Sequence, residues 1–432
     1  MRVIVYGLWH LGCVTAACLA AAGKQVVGLD PDRNLVESLA RGVPPIQEPG
    51  LAELIVAGRD AGCLSFTSDA GEALRDADVL WVTFDTPVDA GDRADVGFVR
   101  DRLQAVRDAV RPGTLVLVSS QVPVGFTRAL ARDWEALDVG FGYSPENLRL
   151  GNAIAVFQDP ERIVVGLTRD GDRPRVAELL LPRSDRILWM SVESAEMTKH
   201  AVNAFLATSV SFINELARLC EKVGADAREV ERGLKTEGRI GPRAYLTPGP
   251  AFAGGTLARD LCYLASFGDE AGVETPLVDG VLASNAAHQG WSRDRIAALL
   301  EGVESPVAAV LGLTYKPGTN TLRRSWAVEL CGWLSRCGVR VQAYDPAIPS
   351  QSEELPAGID LYGSAEQALR GADLVVVATE WPEFRALRDA DLAGAMRRPR
   401  VVDQTWFLEP SLGSSSRVEY FAPGRAGRHP RG

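Results

Sequence analysis

The 432-residue chain carries 56 acidic and 46 basic residues, a formal net charge of -10, with 46% hydrophobic and 24% charged residues. That length exceeds one compact core and suits two or three domains, while the composition excludes a fibrous repeat or wholesale disorder. The acidic balance argues against a broad nucleic-acid surface, and no apolar run reaches the roughly 18 residues that span a bilayer, so a cytoplasmic multidomain enzyme is expected.

The N-terminal segment MRVIVYGLWHLG does not show a charged region, an apolar region and a cleavage site in order, so no leader is expected there. Its run Arg2–Tyr6 predicts a strand, Gly7-Leu8-Trp9-His10-Leu11-Gly12 a glycine turn, and Cys13–Ala22 a helix. A second apolar run, Gln25–Leu29, ends at Asp30, the position where a Rossmann unit places the acid that binds the adenosine ribose hydroxyls. This predicts a β-α-β unit that prefers NAD, with Gly7, Leu11, Gly12 and Asp30 at the cofactor. Trp9 stands where the middle glycine of GxGxxG lets the backbone approach the pyrophosphate, so its indole must turn aside or block the site.

Further strands are predicted over 78–83, 114–119 and 163–167, alternating with helical stretches as in a doubly wound parallel sheet. Ligands in such sheets bind beyond the carboxyl ends of the strands. That places Thr86-Pro87, Gln121-Val122-Pro123 and Ser144-Pro145-Glu146 around one crevice. From Ser194 to Val223, Met197, Ala201, Ala204, Phe205, Thr208, Phe212, Leu216 and Leu219 recur at three- and four-residue steps, predicting a long helix whose apolar face needs a partner. With a second helical stretch over 276–290, this middle region is expected to be all-helical and to form a homodimer interface. Strand-like runs over 307–311, 339–344 and 374–378 predict a second Rossmann-like domain, and the Gly-, Ser-, Pro- and Arg-rich tail from Gly413 predicts disorder.

The seven cysteines are scattered through apolar segments without a CxxC pair, and the four histidines show no ligand spacing, so free thiols and no metal are expected. Lysine occurs only at 24, 199, 222, 235 and 316, so each lysine within a motif carries weight.

Several segments, in order, resemble signatures of the UDP-glucose/GDP-mannose dehydrogenase family. Pro45–Leu51 is similar to its EPGL segment, Phe84–Pro87 with Asp95 to its PTP loop, and Ser144–Arg149 to its NPEFLRE motif. Ala195-Glu196-Met197-Thr198-Lys199 with Asn203 resembles its AE-K-N helix, and the match continues through Phe205–Cys220, Arg239–Gly241, Lys316 with Arg323, Tyr344–Pro346 and Thr379–Phe384. The resemblance implies an α/β fold of two Rossmann-like doubly wound parallel-sheet domains joined by an all-helical dimerisation region. The expected divisions are an NAD-binding domain at 1–190, a central helical domain at 191–300, a nucleotide-sugar-binding domain at 301–412 and a disordered tail at 413–432.

Family enzymes oxidise a sugar CH2OH to a carboxylate in two hydride transfers, supplying sugar nucleotides for polysaccharide or glycoside biosynthesis. By resemblance, Glu146 acts as acid/base, Lys199 stabilises the alkoxide, Asn203 and Asp260 place a water, and Thr256 occupies the position of the nucleophile. Thr86, Gln121, Arg259 and Arg323 would face the cofactor, and Leu148, Arg149, Lys199, Tyr245, Gly249, Ala253 and Lys316 the nucleotide sugar.

The resemblance breaks within this site. Where the family carries GFGGxCxPKD, residues 251–260 read Ala-Phe-Ala-Gly-Gly-Thr-Leu-Ala-Arg-Asp, so a threonine replaces the nucleophilic cysteine. A threonine hydroxyl is a far weaker nucleophile than a thiol without an adjacent base, which closes the thioester route. Cys262, six residues further on among apolar neighbours, is assigned to packing. Gln121, Leu150, Asn320 and Trp9 also depart from the family pattern. The expected activity is a single NAD-dependent oxidation of a nucleotide sugar, most simply a UDP-sugar, to an aldehyde or ketone. Full oxidation through the aldehyde hydrate, net epimerisation, and a silent nucleotide-sugar-binding protein stay open as alternatives.

Overall fold

The computed structural model describes residues 1–87, 89, 94–146, 148–181, 184–252, 256–323, 325–348 and 354–425. The chain divides into two compact units, Met1–Asn203 and Ala204–Gly432, with the boundary inside the 32-residue helix Val192–Val223.

The first unit is built on eight strands: β1 (Arg2–Tyr6), β2 (Gln25–Leu29), β3 (Leu64–Thr67), β4 (Val79–Val82), β5 (Leu115–Val118), β6 (Gly140–Tyr143), β7 (Ile163–Leu167) and β8 (Ile187–Met190). Their order is β3-β2-β1-β4-β5-β6-β7-β8, so the direction of winding reverses between β1 and β4. All pairs are parallel except β6 with β7, which is antiparallel, so the doubly wound parallel sheet expected from sequence carries one reversed pairing. Both faces are covered, because successive side chains of a strand point to opposite sides. Val3, Val5, Val79 and Trp81 pack into one layer, while Ile4, Tyr6, Leu80 and Val82 pack into the other.

The second unit begins with the remainder of the long helix and adds Thr256–Ala271, Pro276–Gln289 and Trp291–Leu300 before its sheet starts. That sheet comprises β9 (Val307–Leu311), β10 (Arg340–Tyr344), β11 (Ile359–Leu361), β12 (Leu374–Val377), β13 (Arg400–Asp403) and β14 (Glu419–Phe421), ordered β11-β10-β9-β12-β13-β14 and parallel throughout. Its winding reverses between β9 and β12, the counterpart of the β1/β4 reversal.

Residues 413–425 depart from the disorder expected of the tail, whose residues 426–432 lie outside the described residues. Residues 419–421 form the edge strand, Val418, Tyr420 and Ala422 are buried, and the Tyr420 hydroxyl donates to Asp403 at 2.7 Å. Three alternating apolar residues suffice to hold a strand that polar composition conceals. No helix among the described residues is long and apolar enough to cross a membrane.

Candidate active site

In the first unit the glycine turn forms directly after β1. Gly7 adopts φ +101°, a conformation that only glycine takes without strain, and donates its N–H to Leu29 O at 3.0 Å. A Cβ on Gly12 would run into the Gly7 carbonyl oxygen, so this second glycine is needed for helix His10–Ala21 to start beside the turn. Leu11 is half-buried on that helix. The residue before the helix, Trp9, provides no side-chain cap, which leaves the first N–H groups as anion donors. Its indole is 45% exposed and so is not packed into the turn.

Asp30, buried at the end of β2, accepts Leu8 N–H at 2.8 Å through Oδ2 and Asp32 N–H at 3.0 Å through Oδ1. An ionised carboxylate has about four acceptor sites, so lone pairs remain for ribose hydroxyls. The second sheet repeats this geometry with a different outcome. Gly312, at φ +88°, donates to Tyr344 O, and Asp345 accepts Leu313 N–H, Thr314 N–H, Thr314 Oγ1–H, Trp381 Nε1–H and Ala347 N–H. Asp345 Oδ2 is saturated by four donors of its own chain, whereas each oxygen of Asp30 accepts a single one. The dinucleotide therefore fits the first sheet: its glycine cradle, uncapped helix start and unsaturated acid are what NAD requires.

Around the same carboxyl ends, Thr86 donates its hydroxyl to Gln121 O at 2.6 Å, and Lys199 donates Nζ–H to Glu146 O at 3.1 Å. Lys199 belongs to the long helix, on a face with Glu196, His200 and Asn203, as three- and four-residue spacing requires. Glu196, buried, accepts Gly125 N–H at 2.6 Å and Thr127 N–H at 2.9 Å; burial nevertheless holds its carboxyl above the usual range. His200 donates from Nε2 to Val122 O at 3.0 Å. These two anchors, Glu196 from the quoted motif and His200 which no motif singled out, fix the Gln121–Thr127 segment against the helix that carries Lys199. Asn203 is buried, Glu146 and Leu148 are half-buried, and Arg149 is exposed.

In the second unit, Thr256 is the first residue of helix Thr256–Ala271 and is exposed, and Asp260 lies one turn on and is fully buried. Arg259, between them, is half-buried. Cys262 lies about 240° around the helix from Thr256, which keeps it off that face. Gly249 is buried, while Tyr245, Lys316 and Arg323 are exposed, and Ala253 lies outside the described residues. The 245–252 segment is held by three side chains, Asn214 from a quoted segment and two that no motif singled out. Asn214 accepts from Gly249 N–H and donates to Pro250 O, Asn285 bonds both N–H and C=O of Phe252, and His288 donates to Gly249 O at 2.8 Å. The available signal was polar residues, Asn285 and His288, three apart on a helix that packs on apolar neighbours. A cavity of about 290 Å³ opens at the carboxyl ends of β12 and β13, lined among others by Phe252, Arg293, Trp326, Glu329, Gln404 and Thr405.

Models of the UDP-glucose/GDP-mannose dehydrogenase family match the chain three times: its NAD binding domain at residues 1–182, its central domain at 193–287 and its UDP binding domain at 309–410. The chain is 34% identical over 414 residues to a UDP-glucose 6-dehydrogenase of Rhizobium meliloti, covering 93% of this chain and 94% of that protein. It is 32% identical over 409 residues to UDP-glucose 6-dehydrogenase TuaD of Bacillus subtilis, covering 93% and 88%. Among solved structures, a UDP-glucose dehydrogenase from Pyrobaculum islandicum superposes with a TM-score of 0.87 at 30% identity, covering 98% of each chain. With an NAD-type cradle on its first sheet and family matches along its length, the chain belongs to the UDP-glucose/GDP-mannose dehydrogenase family of NAD-dependent nucleotide-sugar dehydrogenases.

Proposed function

We propose that the protein oxidises the sugar of a UDP-sugar once and releases the carbonyl product instead of carrying it to the acid through an enzyme-bound thioester. The observation that carries this is Thr256, a hydroxyl at the first residue of its helix where the family resemblance requires a thiol. The UDP-sugar class follows the relatives, which are UDP-glucose 6-dehydrogenases. The cavity at the ends of β12 and β13 supplies an aromatic wall and hydrogen-bonding edges for the nucleotide end.

Bound NAD supplies the hydride acceptor. The Lys199 ammonium stabilises the alkoxide that forms as the carbinol proton leaves, and Glu146 takes that proton. Asn203 and Asp260 place a water, which opens the hydrate route to the uronate as the second reading. The apolar stripe of the long helix favours a homodimer as the working form.

The test is incubation of the protein with NAD and a panel of UDP-sugars, counting NADH per product by mass spectrometry with and without hydroxylamine. One NADH per sugar and a trapped oxime are expected. Efficient uronate formation with two NADH, insensitive to the trap, would overturn the single oxidation; saturable UDP-sugar binding without NADH binding or turnover would favour the silent form.

A further inference from the structure

Glu48 joins three segments of the first unit. Its side chain is 1% exposed, and its Oε2 accepts His10 Nε2–H at 2.9 Å and Gly151 N–H at 2.8 Å, while Oε1 accepts Ala153 N–H at 2.9 Å. Two backbone N–H groups donate to it and His10 Nε2 lies within hydrogen-bond distance, so the buried carboxyl is held by three polar partners that offset its burial. Gly151 and Ala153 open helix Ala153–Gln158, immediately after Leu148 and Arg149. His10 is the first residue of the helix whose start faces the cofactor diphosphate in this kind of turn. Its second ring nitrogen, Nδ1, bonds no described residue, and the side chain is 16% exposed, so a ligand can reach it.

We propose that His10 and Glu48 form a relay through which NAD binding orders the 148–153 segment. As the imidazolium, His10 donates Nδ1–H to a diphosphate oxygen and Nε2–H to Glu48, and Glu48 so fixed holds the Gly151 and Ala153 amides in place. A charged donor beside Trp9 provides the anion contact at the position where the usual glycine is missing. His10 is thus a cofactor-binding residue and Glu48 a positioning residue for the segment that carries Leu148 and Arg149. The inference rests on the cofactor reading of the first sheet and is independent of which sugar is oxidised.

Amide hydrogen exchange of the full chain, with and without saturating NADH and with no sugar present, tests it. In the wild-type protein NADH slows exchange at Gly151 and Ala153. His10→Phe leaves Glu48 its two backbone donors; it binds NADH about ten- to a hundredfold more weakly, the worth of one charged hydrogen bond, and at saturation no longer slows those amides. Equal NADH-induced slowing in His10→Phe, or none in wild type, overturns the relay. The wild-type arm needs no variant, so misfolding of His10→Phe cannot rescue the idea. Absence of sugar turnover would count against the proposed reaction and leave this result standing.

Discussion

His288 shows how a single side chain ties the 245–252 segment to solution conditions. Its Nε2–H donates to Gly249 O, and its Nδ1 is buried with no partner, so a second ring proton has nowhere to bond. Burial, reinforced by Arg218, lowers its pKa below the ordinary 6.5, against the opposing Gly249 hydrogen bond. The unfolded chain therefore takes the proton first, and the stability contributed by the neutral ring is complete above pH 6.5 and lost as pH falls below it. His288→Gln, which keeps a donor toward Gly249, should flatten the decline in melting temperature between about pH 6.5 and 5. An unchanged decline would remove His288 as its source. At Asp30, the spare lone pairs lead to another expectation: Asp30→Asn should weaken NADH about tenfold, through the lost charged acceptor, with a smaller loss for NADPH. At Thr256, replacement by cysteine should raise the NADH yield from one toward two per sugar if Lys199, Glu146 and Asp260 are already disposed for the second step.

Among the elements, the long helix is the one whose surface remains unexplained by the single chain. Phe205, Phe212 and Leu219 recur every seven residues and are 71%, 49% and 56% exposed, with Val223 one turn further at 76%. An apolar stripe of that kind marks an interface. Light scattering should report a dimer at micromolar concentration and a monomer for Phe212→Glu; a wild-type monomer would refute the assignment. This stripe was legible in the sequence because its spacing is helical over several turns. So were β1, β2, β7 and β9, whose apolar runs are continuous because both faces of a parallel sheet are buried. Strands β6, β11 and β14 were not. Gly140-Phe141-Gly142-Tyr143 is half glycine, and β11 and β14 span three residues each at sheet edges, too short to show a period. The motif residues could be located, but the supporting roles of Glu196, Glu48 and Asn214 within them, and of Asn285 outside them, could not: these side chains act through backbone groups far along the chain, and no local pattern encodes those partners.

For the molecule as a whole, two units with separate sheets predict separable responses to ligands. NADH should raise the thermal transition of Met1–Asn203 and UDP that of Ala204–Gly432, each by about 2.7 kcal/mol of linkage at a hundredfold excess over Kd. Calorimetry in which both ligands move one common transition would show that the units melt together. The twin acids explain why two similar sheets carry different ligands. Asp345 spends its Oδ2 on four donors of its own fold, while both Asp30 oxygens keep a free lone pair to meet ribose hydroxyls.

The exchange of a thiol for Thr256 bears also on oxidant tolerance. Cys13, Cys18, Cys220 and Cys331 are buried, whereas Cys63 and Cys262 are half-buried and Cys337 is exposed; burial raises the thiols of Cys13 and Cys220 and pushes that of Cys331 up to about 12, which keeps these three out of the reactive thiolate form. Peroxide attacks thiolates and converts them to sulfenic acid, a lesion that silences any enzyme dependent on one. If Thr256 holds the nucleophile position, as the family resemblance implies, the site offers a hydroxyl there and no thiolate for peroxide to attack. On the single-oxidation proposal, turnover should survive peroxide exposure that abolishes the gain conferred by Thr256→Cys; equal sensitivity of the two proteins would count against a role for residue 256 in that difference.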